Sequence, residues 1–141
     1  MGPIIVFLLN HWVLSALFGV LLVAFIINEA MQRRYGVSHL SPEQAVQMIN
    51  HEEAVVVDLR SETLFKEGHI LGAINISAAH LDKKLNTLQK YVNKPIILVA
   101  TAGQDASKVG AQLKEKGFQV RELGGGIQAW SSANLPLVKK K

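Results

Sequence analysis

Asp58, Arg60 and His69, with the stretch Ala100-Thr101-Ala102-Gly103-Gln104-Asp105, are the residues whose types and places invite a chemical reading. A carboxylate or an imidazole can carry a proton, and a carboxylate and a guanidinium at a strand end can tie it to neighbouring loops. The Ala100–Asp105 stretch lies between an apolar run and a helix-like run. That is the layout of an anion cradle, in which backbone N–H groups point into a loop backed by a helix N-terminus. Asp105, at the far end of this loop, would repel an oxyanion. Thr101 offers a hydroxyl but has no base beside it in sequence. The chain contains no cysteine, which excludes disulfides, thiolate metal ligands and a thiol nucleophile. The remaining histidines, His11, His39, His51 and His80, lack metal-ligand spacing, so no metal site and no cofactor are expected.

These residues need rigid elements to position them. Ala54–Asp58 (AVVVD) and Ile96–Val99 (IILV) are continuous apolar runs, as expected of strands buried on both faces of a parallel sheet. Phe118–Leu123 is predicted as a third. Between them, Leu81–Tyr91 and Ala106–Lys116 show helical spacing, and Gly117 is placed to end the second helix. Ser41-Pro42-Glu43-Gln44 predicts a helix start, with Ser41 as N-cap, Pro42 at the first position and Gln44 closing a capping box. Ala45, Met48 and Ile49 would form its apolar face. Strands alternating with helices of this length imply an α/β fold with a mostly parallel central sheet. Ligands in such sheets bind beyond the carboxyl ends of the strands, where Asp58-Leu59-Arg60 and Ala100–Asp105 fall.

The front of the chain is of another kind. Pro3–Asn28 carries no Asp, Glu, Lys or Arg, and Ile4–Ile27 is broken only by Asn10, His11 and Ser15 among clearly polar residues. A helix of that length spans about 36 Å at ~1.5 Å per residue, enough for a hydrocarbon core of about 30 Å. The expectation is a transmembrane helix over residues 1–28, a short juxtamembrane connector over 29–36 and a folded domain over 37–141. A cleaved signal peptide would begin with a basic region and end at a small-residue site, and neither is present. Arg33 and Arg34 follow the apolar run, so the positive-inside rule places the N-terminus outside and the domain in the cytoplasm. Asn10 and His11 are expected near the outer interface, beside Trp12.

Charge excludes a further class. The net charge is +4, from 15 basic and 11 acidic residues. Arg33, Arg34, Lys139, Lys140 and Lys141 account for the excess, since 15 less these five leaves ten basic residues. No basic face suited to nucleic acid is expected on the domain.

Several segments in order resemble the rhodanese homology domain. Asp58-Leu59-Arg60 is similar to its D-x-R at the end of a central strand. Phe65 followed by Gly68-His69-Ile70-Leu71-Gly72-Ala73-Ile74-Asn75 resembles its F-x-x-G-H-I-x-G-A-x-N signature. Gly117-Phe118, Leu123-Gly124-Gly125-Gly126 and Trp130 match its G-F…L-x-G-G-x-x-x-W tail, and Leu135-Pro136-Leu137-Val138 its ending. Anchor plus single domain resembles the bacterial inner-membrane rhodanese-like proteins of the YibN type. The resemblance implies a rhodanese-like three-layer fold. It gives structural roles to Asp58, Arg60, Gly68, His69, Gly72, Gly125, Gly126 and Trp130. Gly68 and Gly72 are expected in conformations other residues resist, and the Trp130 ring in the core.

By the same resemblance, Ala100 stands where rhodaneses carry the sulfur-bearing cysteine, and Asp105 where related phosphatases carry an arginine. With no catalytic residue left, the expectation is a pseudo-sulfurtransferase. It would act as an interaction or scaffold module on the cytoplasmic face of a bacterial inner membrane. Its partners would be the lipid bilayer and an integral membrane or soluble protein. The alternative is an enzyme or small-ligand or anion sensor of sulfurtransferase-like type that uses non-cysteine chemistry.

Overall fold

In the computed structural model the apolar runs become the centre of a five-stranded sheet. The structure describes residues 2–101 and 106–140, without the side chains of residues 32–35. The strands are β1 (Ser38–Leu40), β2 (Val55–Asp58), β3 (Ile74–Asn75), β4 (Ile96–Val99) and β5 (Val120–Leu123), in the order β1-β5-β4-β2-β3. Every pairing is parallel, with Val56 opposite Ile97, Ile97 opposite Arg121 and His39 opposite Glu122. Alternate side chains therefore serve two cores. Val57, Ile96, Leu98 and Val120 join Leu81, Leu88, Val109 and Leu113 on one face, from helices α5 (Leu81–Gln89) and α6 (Ser107–Glu115). Val56, Ile97, Val99 and Leu123 join Ala45, Ile127 and Trp130 on the other, from α3 (Pro42–His51) and α7 (Gly126–Ser132). A short α4 (Glu62–Glu67) follows β2. Helices on both faces of a parallel sheet are the expected three-layer α/β architecture.

Local chemistry sets the element ends. The Ser41 side chain accepts from the Gln44 N–H at 3.3 Å, and the Ser41 N–H donates to Gln44 Oε1 at 2.9 Å, which completes the capping box. At the end of α6, Gly117 takes φ +90°. Its N–H donates to Lys114 O, and the Phe118 N–H donates back to Leu113 O at 3.1 Å. This pair of bonds is a Schellman stop. It holds Phe118 at the helix end, so the third strand begins at Val120 rather than at Phe118. The Leu81 helix likewise stops at Gln89, because residues 90–94 form turns closed by Tyr91 N–H to Leu88 O and Lys94 N–H to Tyr91 O.

The chain divides into two compact units, Met1–Gly36 and Val37–Lys141. The first consists of α1 (Pro3–Asn10) and α2 (Trp12–Tyr35). The single helix expected over Ile4–Ile27 is thus interrupted at His11, which has φ −120° and ψ 45°. The Ser15 hydroxyl donates back to His11 O at 3.2 Å and Leu8 O at 3.3 Å, a type of back-bonding that bends helices. Trp12–Met31 is long and apolar enough to cross a membrane. Residues 29–35 of the expected connector continue the α2 helix.

Candidate functional site

Asp58 ends β2, and Arg60 turns back onto it. Asp58 Oδ1 accepts from the Arg60 backbone N–H and Nε, both at 3.0 Å, while Oδ2 accepts from Nη2 at 2.7 Å. The same Nη2 donates to Gly68 O at 2.6 Å. Both side chains are buried. Asn75, on β3, donates from Nδ2 to Asp58 O at 3.1 Å and to Arg60 O at 2.9 Å. This hub joins the end of β2, the loop after α4 and β3. Its carboxylate faces a guanidinium in fork geometry, which uses its acceptor capacity on structure rather than on a reactant. Asn75 stood in the sequence signature without a role, and its amide supplies the third arm.

His69 is a clamp on the next loop. Its Nδ1–H donates to Phe65 O at 2.7 Å, and its ring stacks on Phe65 with centroids 3.8 Å apart at 14°. Its backbone exchanges two bonds with Val138, at 2.9 and 2.8 Å, which fastens the C-terminal strap. Gly72 has φ +79°, as expected of it. Gly68 does not meet its expectation. Its φ is 174°, ordinary extended backbone, and an added Cβ would meet Leu137 Cδ1 at 3.6 Å, a normal contact.

Ala100 follows β4 directly and is 3% exposed. Its carbonyl accepts from the Ile127 N–H at 3.1 Å. Gly125 and Gly126 have φ +71° and +60°, and a Cβ on Gly126 would lie 2.1 Å from Ala100 O. The glycine pair therefore lets the start of α7 close against the residue that opens the loop, an approach open only to glycine. Thr101 is half-buried. Ala102, Gly103, Gln104 and Asp105, the rest of the expected loop, lie outside the described residues. Ala106, which precedes α6, is buried.

Beside this hub lies a groove of about 500 Å³ lined by Arg60, Leu64, Gly68, Ile127, Ser131 and Leu137, among others. Above α4, Lys66 Nζ pairs with Glu62 Oε1 at 2.7 Å. That bond, first of all, holds the Glu62 carboxyl below its ordinary value. Trp130 is buried, and its Nε1–H donates to Pro136 O at 3.1 Å. Of the other histidines, His80 Nδ1 lies 2.7 Å from Ser77 Oγ and His39 Nδ1 3.8 Å from Glu122 Oε2. Glu122 is a feature the sequence reading passed over. It sits in β5 with its Oε2 buried and without a hydrogen-bond partner. Among the described residues no group of three or more metal-ligating side chains comes together.

Comparison with known proteins agrees with this architecture. The model of the Rhodanese-like domain family matches residues 41–133. The chain is 35% identical to the protein YibN of Escherichia coli strain K12 over 143 residues, covering all of both chains. It is 35% identical to the thiosulfate sulfurtransferase GlpE of Shewanella oneidensis over 97 residues, 68% of this chain and 94% of that one. The crystal structure of a rhodanese-related protein from Thermoplasma volcanium superposes with a TM-score of 0.64 at 23% identity, covering 73% of this chain and 99% of the other. With a five-stranded parallel sheet between two helix layers and a family match over most of its folded part, this chain belongs to the Rhodanese-like domain family.

Proposed function

We propose that this chain is a membrane-anchored, catalytically degenerate rhodanese-like domain. It serves as an interaction or scaffold module on the cytoplasmic face of a bacterial inner membrane, with its N-terminus outside. One observation carries the reading: the residue that opens the loop after β4 is Ala100, in a chain without cysteine. Sulfur transfer requires a thiolate that attacks the donor and then holds the persulfide, and a methyl group does neither. The intact hub of Asp58, Arg60 and Asn75 supports a domain kept for its folded surface. The apolar helix Trp12–Met31, uncharged as far as Asn28, and the arginines after it support the anchor and its orientation.

Two measurements test this together. Purified full-length protein should give no cyanide-dependent turnover of thiosulfate above a protein-free control. Affinity capture from detergent-solubilised membranes should return a stoichiometric protein complex. Turnover, or a chain that purifies alone at every detergent and salt condition, would sink the proposal.

A further inference from the structure

The last residues of the chain form a strap that divides one face of the folded unit into two grooves. It is fixed by five bonds: Leu135 N–H to Trp130 O, Trp130 Nε1–H to Pro136 O, the two of the His69–Val138 bridge, and Lys140 N–H to Lys66 O at 3.2 Å. On one side lies the groove of about 500 Å³ lined by Leu64 and Leu137. On the other lies a groove of about 250 Å³ lined almost wholly by apolar side chains, including Ile49, Ile70, Leu71 and Pro136. Among the described residues from 37 onward, Leu64 (41%), Leu71 (75%) and Leu137 (37%) are the large apolar side chains exposed by more than a third. All three line these two grooves. Single exposed leucines are ordinary on a protein surface, but their confinement to the flanks of one strap is not.

The charges around the strap are mixed, with an excess of lysine. Lys66 pairs with Glu62, Lys140 and Lys84 also act on it, Glu67 lines the larger groove, and Lys139 is the exposed residue before Lys140. Chain connectivity supplies the other half of the argument. Five residues lie between Met31, the end of the apolar stretch, and Val37, the first residue of the folded unit. The six Cα–Cα steps across them reach at most about 20 Å. The folded unit is thus tethered to a bilayer that the apolar helix enters, and exposed leucines accompanied by lysines are the composition that partitions to an anionic lipid interface.

We propose that the strap face, Leu64, Leu71 and Leu137 with Lys66, Lys139 and Lys140, docks on the headgroup region of an anionic phospholipid bilayer. This rests on the anchor reading above and adds a second contact with the same membrane. Docking inserts the leucines below the headgroups, and the lysines meet lipid phosphates.

The absence of cysteine makes the test clean, because one introduced thiol is the only one. Full-length Leu71→Cys and, as a control on the exposed start of α3, Glu43→Cys are labelled with bimane in vesicles of phosphatidylethanolamine and phosphatidylglycerol carrying brominated lipid. The expected result is severalfold stronger quenching at position 71 than at 43. Quenching should fall in phosphatidylcholine vesicles, at high salt, and in a Lys139→Ser/Lys140→Ser variant. Each lysine removed should lower the docked-to-free ratio about fivefold, the equivalent of about 1 kcal/mol per lysine near an anionic surface. Equal quenching at 71 and 43 overturns the proposal. So does quenching at 71 that ignores lipid charge, salt and the lysines. Protection of the position 71 thiol from a water-soluble reagent in native membranes, without protection in pure lipid, assigns the face to a protein and also overturns it. Alkaline carbonate extraction separates the two readings. A chain stripped from the vesicles defeats anchor and docking together, whereas a retained chain without position 71 quenching defeats docking alone.

Discussion

At the residue scale the site is defined by one missing thiol and one satisfied ion pair. The pair gives the first prediction. Arg60→Ala would leave Asp58, 1% exposed, as a buried carboxylate stripped of three of its donor contacts. Breaking a buried pair from one side costs about 3–5 kcal/mol, so urea unfolding of the variant should show a midpoint lowered accordingly. Arg60→Lys should recover only part of it, since an ammonium cannot reproduce the fork that also reaches Gly68 O. The second prediction concerns the loop. Ala100→Cys alone should give little or no thiosulfate sulfurtransferase activity, because a carboxylate five positions along the sequence, Asp105, would raise a thiol pKa and oppose an anionic donor. Ala100→Cys with Asp105→Arg should give measurably more, as read by thiocyanate production. Robust turnover from the single variant would show a loop otherwise intact. Sequence reached Asp58 and Arg60 as ties between a strand end and its loops, because their types and spacing are distinctive, but not the fork between them. It did not reach the Gly126–Ala100 approach, a contact between positions 26 apart that only the fold brings to 2.1 Å of an added Cβ.

At the scale of elements, the legible parts were those whose own residues settle the matter. AVVVD and IILV are apolar throughout and became β2 and β4. Ser41 and Gln44 carry both halves of their capping box. The strands β1 (SHL) and β3 (IN) went unread, because two or three residues with exposed or half-exposed side chains have no periodicity to detect. The short α4 escaped for a similar reason, with Phe65 its one buried residue. Packing at this scale gives a third prediction. A Cβ on Gly110 would lie 2.3 Å from Val37 Cγ2, so α6 approaches the start of β1 more closely than any other residue allows. Gly110→Ala should be destabilising by about 1–3 kcal/mol despite its better helix propensity. Trp130→Ala, which removes a ring shared with Val56, Ile97 and Leu123 and an indole bond to Pro136, should cost about 3–5 kcal/mol. Thermal melts of both variants provide the check. An unchanged midpoint for the tryptophan variant would contradict the buried ring.

On the scale of the whole molecule, the sequence break at Asn28 separates an uncharged front from a charged remainder, and topology is the matter to measure. A reporter fused after Lys141 is expected to be active in the cytoplasm, and the full chain to resist carbonate extraction. Moving Arg33 and Arg34 ahead of Pro3 should weaken or invert the orientation. Protease access to the folded unit from the periplasmic side would reverse the assignment. What sequence could not supply here was the interruption at His11, which depends on where the Ser15 hydroxyl turns rather than on composition.

The pairing of β1 with β5 has a consequence for how this protein is made. Ser38 lies opposite Arg121, so the first strand to leave the ribosome waits for the last before its backbone groups are paired. β4 waits on β5 for its second neighbour as well. Until residues 120–123 emerge, β1 is an unpaired strand on a chain whose front segment is apolar enough to have entered a bilayer. Non-local pairing of this kind delays folding and leaves strand edges open to wrong partners. Nascent chains arrested before Gly117 should therefore be protease-sensitive throughout the soluble part, and protection should arrive in one step as β5 clears the ribosome. The unit is in effect locked from its far end.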